Sequence, residues 1–412
     1  MSPRRGRPSP GLAYCDSAAR IYFDESQEPL ADDGCAPRRA LQAELIAAPK
    51  GTVTSMLPQR NPLLATGRVG TRRTALAALL PAGYTRLLLP AYATREGAPV
   101  LPLYGYTFAC VVDDELHVAA MRTDASEDWA PRYFAEGELE AAIAARLQCD
   151  PGNRVLAQAA RCSREYGCFT AQNTILGRGE AALPVSPACN ARCLGCISEL
   201  GAESSFPSPQ TRVRGEADVA ELVRVGVYHL ERVSDGIVSF GQGCEGEPLL
   251  RATTIARTVE RIRAARTNGT INCNTNGSLP KSLRMLIDAG LDAVRISLNS
   301  FRPAVYAAYY RPTGYTLDDV LESVRLAVRS GLRVSLNLLT HPGVTDAVEE
   351  VEAAQALLSE VEVAMVQTRT LNIDPEVYFG AVGRPAETIG MRAALERIAA
   401  SGARLGNFTH AH

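Results

Sequence analysis

From about residue 181 onward, short apolar runs alternate with longer segments in which apolar residues recur every three or four positions. The short runs lie at 182–186, 236–240, 270–274, 293–298, 333–339 and 362–367, and their length predicts strands. The longer patterns, at about 216–233, 249–266, 280–289, 317–329 and 346–359, predict helices, with a last one at 386–401. Strands separated by helices of this length build a parallel sheet through right-handed crossovers. The expected class is therefore α/β, either an open doubly wound sheet or an incomplete barrel. In both, ligands gather at the C-terminal ends of the strands.

Upstream the pattern is less regular. Residues 11–100 are short apolar pieces broken by Pro, Gly and charged pairs. A hairpin is expected over 103–123, where LYGYTFACVV and LHVAAMR flank Asp113 and Asp114. Helical spacing follows at 136–147. These features predict a disordered extension over 1–10, an N-terminal α+β region over 11–175, an α/β core over 181–375 and a C-terminal helical extension over 376–412.

Composition narrows the class. The 412 residues are 46% hydrophobic and 21% charged, the balance of a chain that buries a core. A net charge of −2 gives no field favouring nucleic acid, and the Arg-rich basic set, with Lys only at 50 and 281, matches a coding bias. The stretch 74–93 is broken by Pro81, Arg86 and Pro90, so no membrane span is expected. The N-terminus lacks the apolar run of a secretory signal, and a cytoplasmic location is expected. Eleven cysteines in such a chain point to metal binding or chemistry before disulfides.

Three of them, Cys189, Cys193 and Cys196, follow the first strand within eight residues. Three thiolates on one loop can converge on a soft metal centre, and a four-iron cubane held by three thiolates keeps one iron open. An open position is what a catalytic metal site retains. Spacing alone leaves a zinc knot or three unligated thiols as alternatives. The pattern C-x-x-x-C-x-x-C, with Asn190 after the first Cys and Arg192 before the second, resembles the signature of the radical S-adenosylmethionine (radical SAM) superfamily. That resemblance implies a partial (β/α)6 TIM-type barrel and a 4Fe–4S cluster on Cys189, Cys193 and Cys196. It further implies S-adenosylmethionine on the fourth iron and reductive cleavage to a 5′-deoxyadenosyl radical. An electron donor such as flavodoxin or ferredoxin is implied with it. The family often has an aromatic side chain against the adenine at the position before the third Cys. Gly195 stands there, so that packing is lost although the position remains a cofactor-binding one.

Downstream segments extend the likeness. Gly241-Gln242-Gly243-Cys244-Glu245-Gly246-Glu247-Pro248 resembles the family's G-G-E-P element, with Glu245 in place of the first Gly. By that likeness Gly246 exposes backbone and Glu247 accepts from the cofactor's ammonium group; a solvated Glu at a helix start is the alternative. Thr275-Asn276-Gly277 resembles the T-N-G that ends the third strand, and Arg295–Ser300 the I-S-L-x-S of the fourth. Ser297 and Asn299 project to one side, to bond the cofactor or a neighbouring strand. Arg311 suits a carboxylate, or a surface salt bridge. Asn337, the His341-Pro342-Gly343 turn, Arg369, Asn372 and Asp374 are candidates for lining the cleft or capping loops. Cys244 and Cys273 are radical quenchers or core thiols, and Cys149, Cys162 and Cys168 candidates for a second cluster.

The expected activity is hydrogen abstraction from a peptide or small-molecule substrate. Two rivals remain: a non-catalytic iron–sulfur or metal-binding protein, and an NAD-dependent oxidoreductase. The second reads Gly241-x-Gly243-x-x-Gly246 as a dinucleotide loop, but lacks the ribose-binding carboxylate about 20 residues on.

Overall fold

Alternation of apolar and polar residues governs the central strands of the parallel sheet of this protein. The structure is a computed structural model that describes residues 10–70, 72–124, 136–202, 204–265 and 268–407. The seven strands, in sheet order, are Glu180–Ala182, Ile237–Phe240, Thr270–Thr275, Ala293–Leu298, Arg333–Thr340, Met365–Thr370 and Arg404–Gly406. Each of the first four is parallel to the next, and sheet order equals chain order. This is the expected partial barrel, with a seventh strand that the apolar pattern did not show.

One face of the sheet is apolar. Val238, Phe240, Ile271, Cys273, Val294, Ile296, Leu298, Val334, Leu336 and Leu338 are buried. The amphipathic helices α4 (Val219–Arg232), α5 (Ala252–Ala264), α6 (Pro280–Asp288) and α8 (Leu317–Arg329) bury Leu222, Ile255, Val259, Leu283 and Val320. Asp218 caps α4 through Ala220 N–H at 2.8 Å, and Thr316 and Asp319 form a capping box on α8. The intervening positions, Ser239, Asn272, Asn274, Arg295, Ser297, Ser335 and Asn337, are polar and point the other way. They bond to one another. Asn272 Nδ2 donates to Ser239 Oγ at 3.0 Å, Asn337 Nδ2 donates to Ser297 Oγ at 3.0 Å, and Arg295 pairs with Glu180 at 3.8 Å.

The chain divides into two compact units, and the division falls elsewhere than at residue 175. Helices α1 (Glu136–Cys149), α2 (Arg154–Tyr166) and α3 (Phe169–Leu176) belong to the same unit as strands one to four. They are tied there by the Arg154–Glu221 and Arg224–Asp150 ion pairs, at 3.0 and 2.9 Å, which link them to α4.

The other unit joins residues 1–125 to 339–356 and 368–401. Its antiparallel sheet holds the expected hairpin, Tyr106–Val112 with Glu115–Arg122, turned by Asp113 and Asp114 at φ 50° and 61°. Residues of 11–100 that seemed irregular supply further strands, including Gly11–Cys15 and Thr74–Leu79. The C-terminal extension belongs here as far as residue 401, because Met391 packs with Phe108, Cys110 and Ala119 and Arg384 pairs with Asp32 at 2.8 Å, while Arg404–Gly406 joins the parallel sheet. The disordered extension expected over 1–10 lies, except for Pro10, outside the described residues. Among the described residues no helix is long and apolar enough to cross a membrane.

Candidate cluster and cofactor site

The first strand ends at Ala182, four residues before the expected end, because a side chain takes over its backbone donors. Val185 and Ser186 N–H both donate to Glu245 Oε2, at 2.7 and 2.8 Å. Gly241 and Gln242 N–H donate to Glu245 Oε1, at 2.7 and 2.8 Å. One buried carboxylate thus fastens the end of strand one to the end of strand two. The substitution of Glu for Gly at 245, which looked like a departure from the family, is a brace. Burial pushes its carboxyl up to about 7 against the pull of those four N–H donors.

The same two segments then form a short ladder, with Gly246 N–H on Ser186 O at 2.7 Å and Glu247 N–H on Ala188 O at 2.9 Å. A Cβ at Gly246 would stand 2.0 Å from Ala188 O, so only glycine allows this approach. These contacts dispose of the dinucleotide reading. The N–H groups that would cradle a pyrophosphate are already bonded, and two buried carboxylates sit where the anion would lie.

The cysteine loop is held on its other side by backbone. Arg192 N–H donates to Tyr310 O and Leu194 N–H to Tyr309 O, both at 3.0 Å, while Thr313 N–H donates to Asn190 O at 2.8 Å. The Tyr-Tyr-Arg-Pro segment therefore acts as a clamp through its main chain. Arg311 itself is the exposed left-handed cap of α7 (Pro303–Tyr310), at φ 47°.

Between these supports lie the three thiols, near enough to influence one another electrostatically. Burial raises Cys189 and Cys193, and Cys196 acts on both; the Arg212 guanidinium opposes the rise. Arg212 Nη2 reaches Cys196 Sγ at 3.5 Å and its Nε donates to Ser198 Oγ at 3.2 Å. Among the described residues no three His, Cys, Asp or Glu side chains converge closely enough to share a single ion. A cubane, which offers each thiolate its own iron, does not need that convergence. The donor set fits a cluster: three thiols on one clamped loop, with a cation alongside that opposes the rise at Cys189 and Cys193.

Glu247 stands next to the thiols, and its carboxylate is among the charges acting on Cys189. Its Oε1 accepts from Leu249 N–H at 2.9 Å and Thr275 Oγ1 at 2.5 Å, and its Oε2 from Asn276 N–H at 2.8 Å. Burial, reinforced by Glu245, pushes it up to about 7. Oε2 keeps an acceptor position in hand, since a carboxylate oxygen accepts two bonds. Asn276 continues the chain of contacts, donating through Nδ2 to Asn190 Oδ1 at 2.9 Å.

The remaining candidates separate. Ser297 lies on the polar face bonded to Asn337, whose Oδ1 is buried without a partner, whereas buried Asn299 turns its Nδ2 to Val305 O at 3.5 Å. Gly195 is half-exposed in the cysteine loop. His341 and Asp374 are committed to the unit formed with residues 1–125. His341 is fully buried against Tyr378 and Phe379, and Asp374 caps α10 (Pro375–Val382), accepts Leu101 N–H at 2.7 Å and pairs with Arg60 at 3.0 Å. Arg369 and Asn372 are exposed. Cys273 is buried on the apolar face. Cys149 is exposed at the end of α1, while Cys162 and Cys168 pack with Cys244 in one cluster. The sequence reading missed Arg212 and the tyrosines. Tyr306 stacks on Tyr310 at 4.5 Å and meets Tyr315 edge-on at 6.4 Å, and Cys193 and Glu247 act on Tyr306. The i, i+3, i+4 spacing of Tyr306, Tyr309 and Tyr310 was the available signal.

Residues 183–355 match the model of the radical SAM superfamily. The chain is 31% identical over 172 residues to the GTP 3′,8-cyclase of Limosilactobacillus fermentum, covering 40% of this chain and 46% of that one. It is 27% identical over 186 residues to the FeMo cofactor biosynthesis protein NifB of Klebsiella pneumoniae, covering 40% and 37%. The chain thus spans about half, or less, of the length of these curated relatives. A solved radical SAM methyltransferase from Sphaerobacter thermophilus is similar at 17% identity and a TM-score of 0.41, over 55% of this chain and 64% of that one. With the cysteine loop, its supports and the matched segment in agreement, residues 183–355 are a radical SAM domain, of the superfamily whose enzymes use a 4Fe–4S cluster and S-adenosylmethionine.

Proposed function

We propose that this enzyme holds its cluster on Cys189, Cys193 and Cys196, binds S-adenosylmethionine beside Glu247, and acts on a polar small molecule. When bound, the cluster and cofactor supply a 5′-deoxyadenosyl radical that takes a hydrogen atom from the substrate. The observation that carries the reading is Glu247. It is a buried carboxylate beside the thiols, held by three donors, with one acceptor position left for a cationic group. Arg212 places a cation 3.5 Å from Cys196 Sγ, and the Tyr306–Tyr310–Tyr315 group adds aromatic bulk next to Cys193. Ser297 and Asn337 present hydroxyl and amide groups on the polar face of the sheet.

A small molecule is favoured over a peptide because that face offers a neutral, hydrogen-bonding wall, its Arg295 being paired with Glu180. The relatives' names point the same way, one to a cyclase of GTP and the other to synthesis of a metal cofactor. Reduction would come from a low-potential donor such as flavodoxin or ferredoxin.

The test is anaerobic reconstitution followed by reduction in the presence of S-adenosylmethionine. Wild-type protein releases 5′-deoxyadenosine and Cys193→Ala releases none. Product formation by the variant overturns the proposal, and a wild-type cluster that never yields 5′-deoxyadenosine favours a non-catalytic iron–sulfur protein.

A further inference from the structure

Cys162 and Cys244 have no part in the site described above, yet they meet. Cys162 lies in the last turn of α2 and Cys244 between Gly243 and Glu245, and both are buried, at 2% and 8% exposure. They share one apolar cluster with Ile143, Ala160 and Ile175, and each thiol is the leading influence on the other's ionisation. Gln158 Nε2 also donates to Cys162 Sγ at 3.1 Å. The loop carrying Cys244 is well tied, with Val213 N–H on Cys244 O at 2.8 Å and both Glu245 oxygens fully engaged. Cys168 packs against the same cluster, but among the described residues no three such side chains converge as a metal site.

We propose that Cys162 and Cys244 are a redox-active pair that closes to a disulfide by exchange with a small-molecule disulfide. The bond would tie α2 to the loop bearing Glu245 and Glu247. Two buried thiols packed in one cluster need little backbone movement to reach disulfide geometry. Their roles are unequal. Cys244, then the Gln158 hydrogen bond, brings Cys162 down to about 7, while Cys162 and burial push Cys244 up. Cys162, as thiolate, attacks one sulfur of the small disulfide, whose S–S bond breaks to release one thiolate that takes up the Cys162 proton. Cys244 then attacks the Cys162 sulfur, expelling the second small thiolate, which takes up the Cys244 proton. Two protein thiols are oxidised and one small disulfide is reduced to two thiols. Burial slows the attack and leaves the equilibrium untouched.

The test uses the anaerobically purified full chain, equilibrated in glutathione buffers of increasing oxidised-to-reduced ratio. Free thiols are alkylated after an acid quench, and peptides are mapped. The Cys162–Cys244 peptide pair is expected as the first disulfide to appear. It should come with a rise of several degrees in the unfolding midpoint, since the bond closes a long stretch of chain. Cys162→Ala removes both effects, and Cys149→Ala, at an exposed site, leaves both. A Cys162–Cys168 disulfide in place of this pair, or a Cys244 that stays alkylatable at the most oxidising ratio, overturns the inference.

Discussion

After the third strand, Asn276 gives its N–H to Glu247 and its side-chain amide to Asn190 of the cysteine loop. After the sixth, Asp374 takes Leu101 N–H, caps α10 and pairs with Arg60. Both are polar residues at strand ends, where ligands usually collect in such folds. The difference lies in what remains to be bonded. Around Glu247 the protein leaves an acceptor position beside three thiols. Around Asp374 the chain's own groups fill the surroundings, and Arg60 and Asp374 are 2% and 1% exposed. A polar residue at a strand end marks a site only when the fold does not use it up.

The largest expected effect tests the second half of that contrast. Asp374→Ala leaves buried Arg60 with the half-exposed Glu376 as its carboxylate partner, and should cost about 3–5 kcal/mol of stability in denaturant unfolding. Iron content per folded chain should not change. Loss of iron at a temperature where the variant is folded would erase the distinction between the two regions.

Next, Glu247→Gln keeps the side-chain volume and removes the charge. It should weaken S-adenosylmethionine binding by roughly tenfold or more, with iron content preserved, since a hydrogen bond to a charged group contributes about 1.5–3 kcal/mol. Equilibrium binding to the reconstituted protein reads this directly, and an unchanged affinity would remove Glu247 from the cofactor site.

A smaller effect concerns the turn after the fifth strand. Burial pushes Asp346 up to about 7, against the pull of Gly343 N–H at 2.6 Å. A carboxyl raised on folding stabilises fully below about pH 4, its usual range, and loses that contribution as the pH climbs through 7. Asp346→Asn keeps the acceptor without the charge, so its melting temperature relative to wild type should climb between pH 5 and pH 8. A difference that stays flat across that range would mean that Asp346 is ionised in the fold throughout.

The smallest is Ser297→Ala, which removes the hydroxyl that accepts from Asn337 and should cost about 1 kcal/mol in the unliganded protein. A further loss of cofactor affinity would mark Ser297 as a ligand contact. Without that loss, its bond to Asn337 is its whole role.

Much of the core was readable before any coordinates, for a local reason. The fourth strand, 293–298, and α8, 317–329, fall where the apolar pattern put them, because periodicity of two and of 3.6 is written in neighbouring residues. The sixth strand lies at 365–370 and not 362–367, since the apolar Val361 and Val363 are buried in the connection before it. The cysteine spacing and the Glu247 and Asn276 motifs were equally visible. The brace at Glu245 was not, because a Glu in a loop is ordinarily solvated and nothing nearby signals four backbone donors about to converge on it.

The sequence by itself determined where most strands and helices form, which thiols share a loop, and the resemblance to an iron–sulfur class, because each depends on residues close together along the chain. Only the tertiary structure decided that α1 to α3 join the parallel sheet's unit and that residues 368–401 join the antiparallel one. It alone showed Arg212 reaching Cys196 and Cys162 meeting Cys244. Such pairings join positions far apart in sequence. Burial sets their energies, and no periodicity along the chain records it.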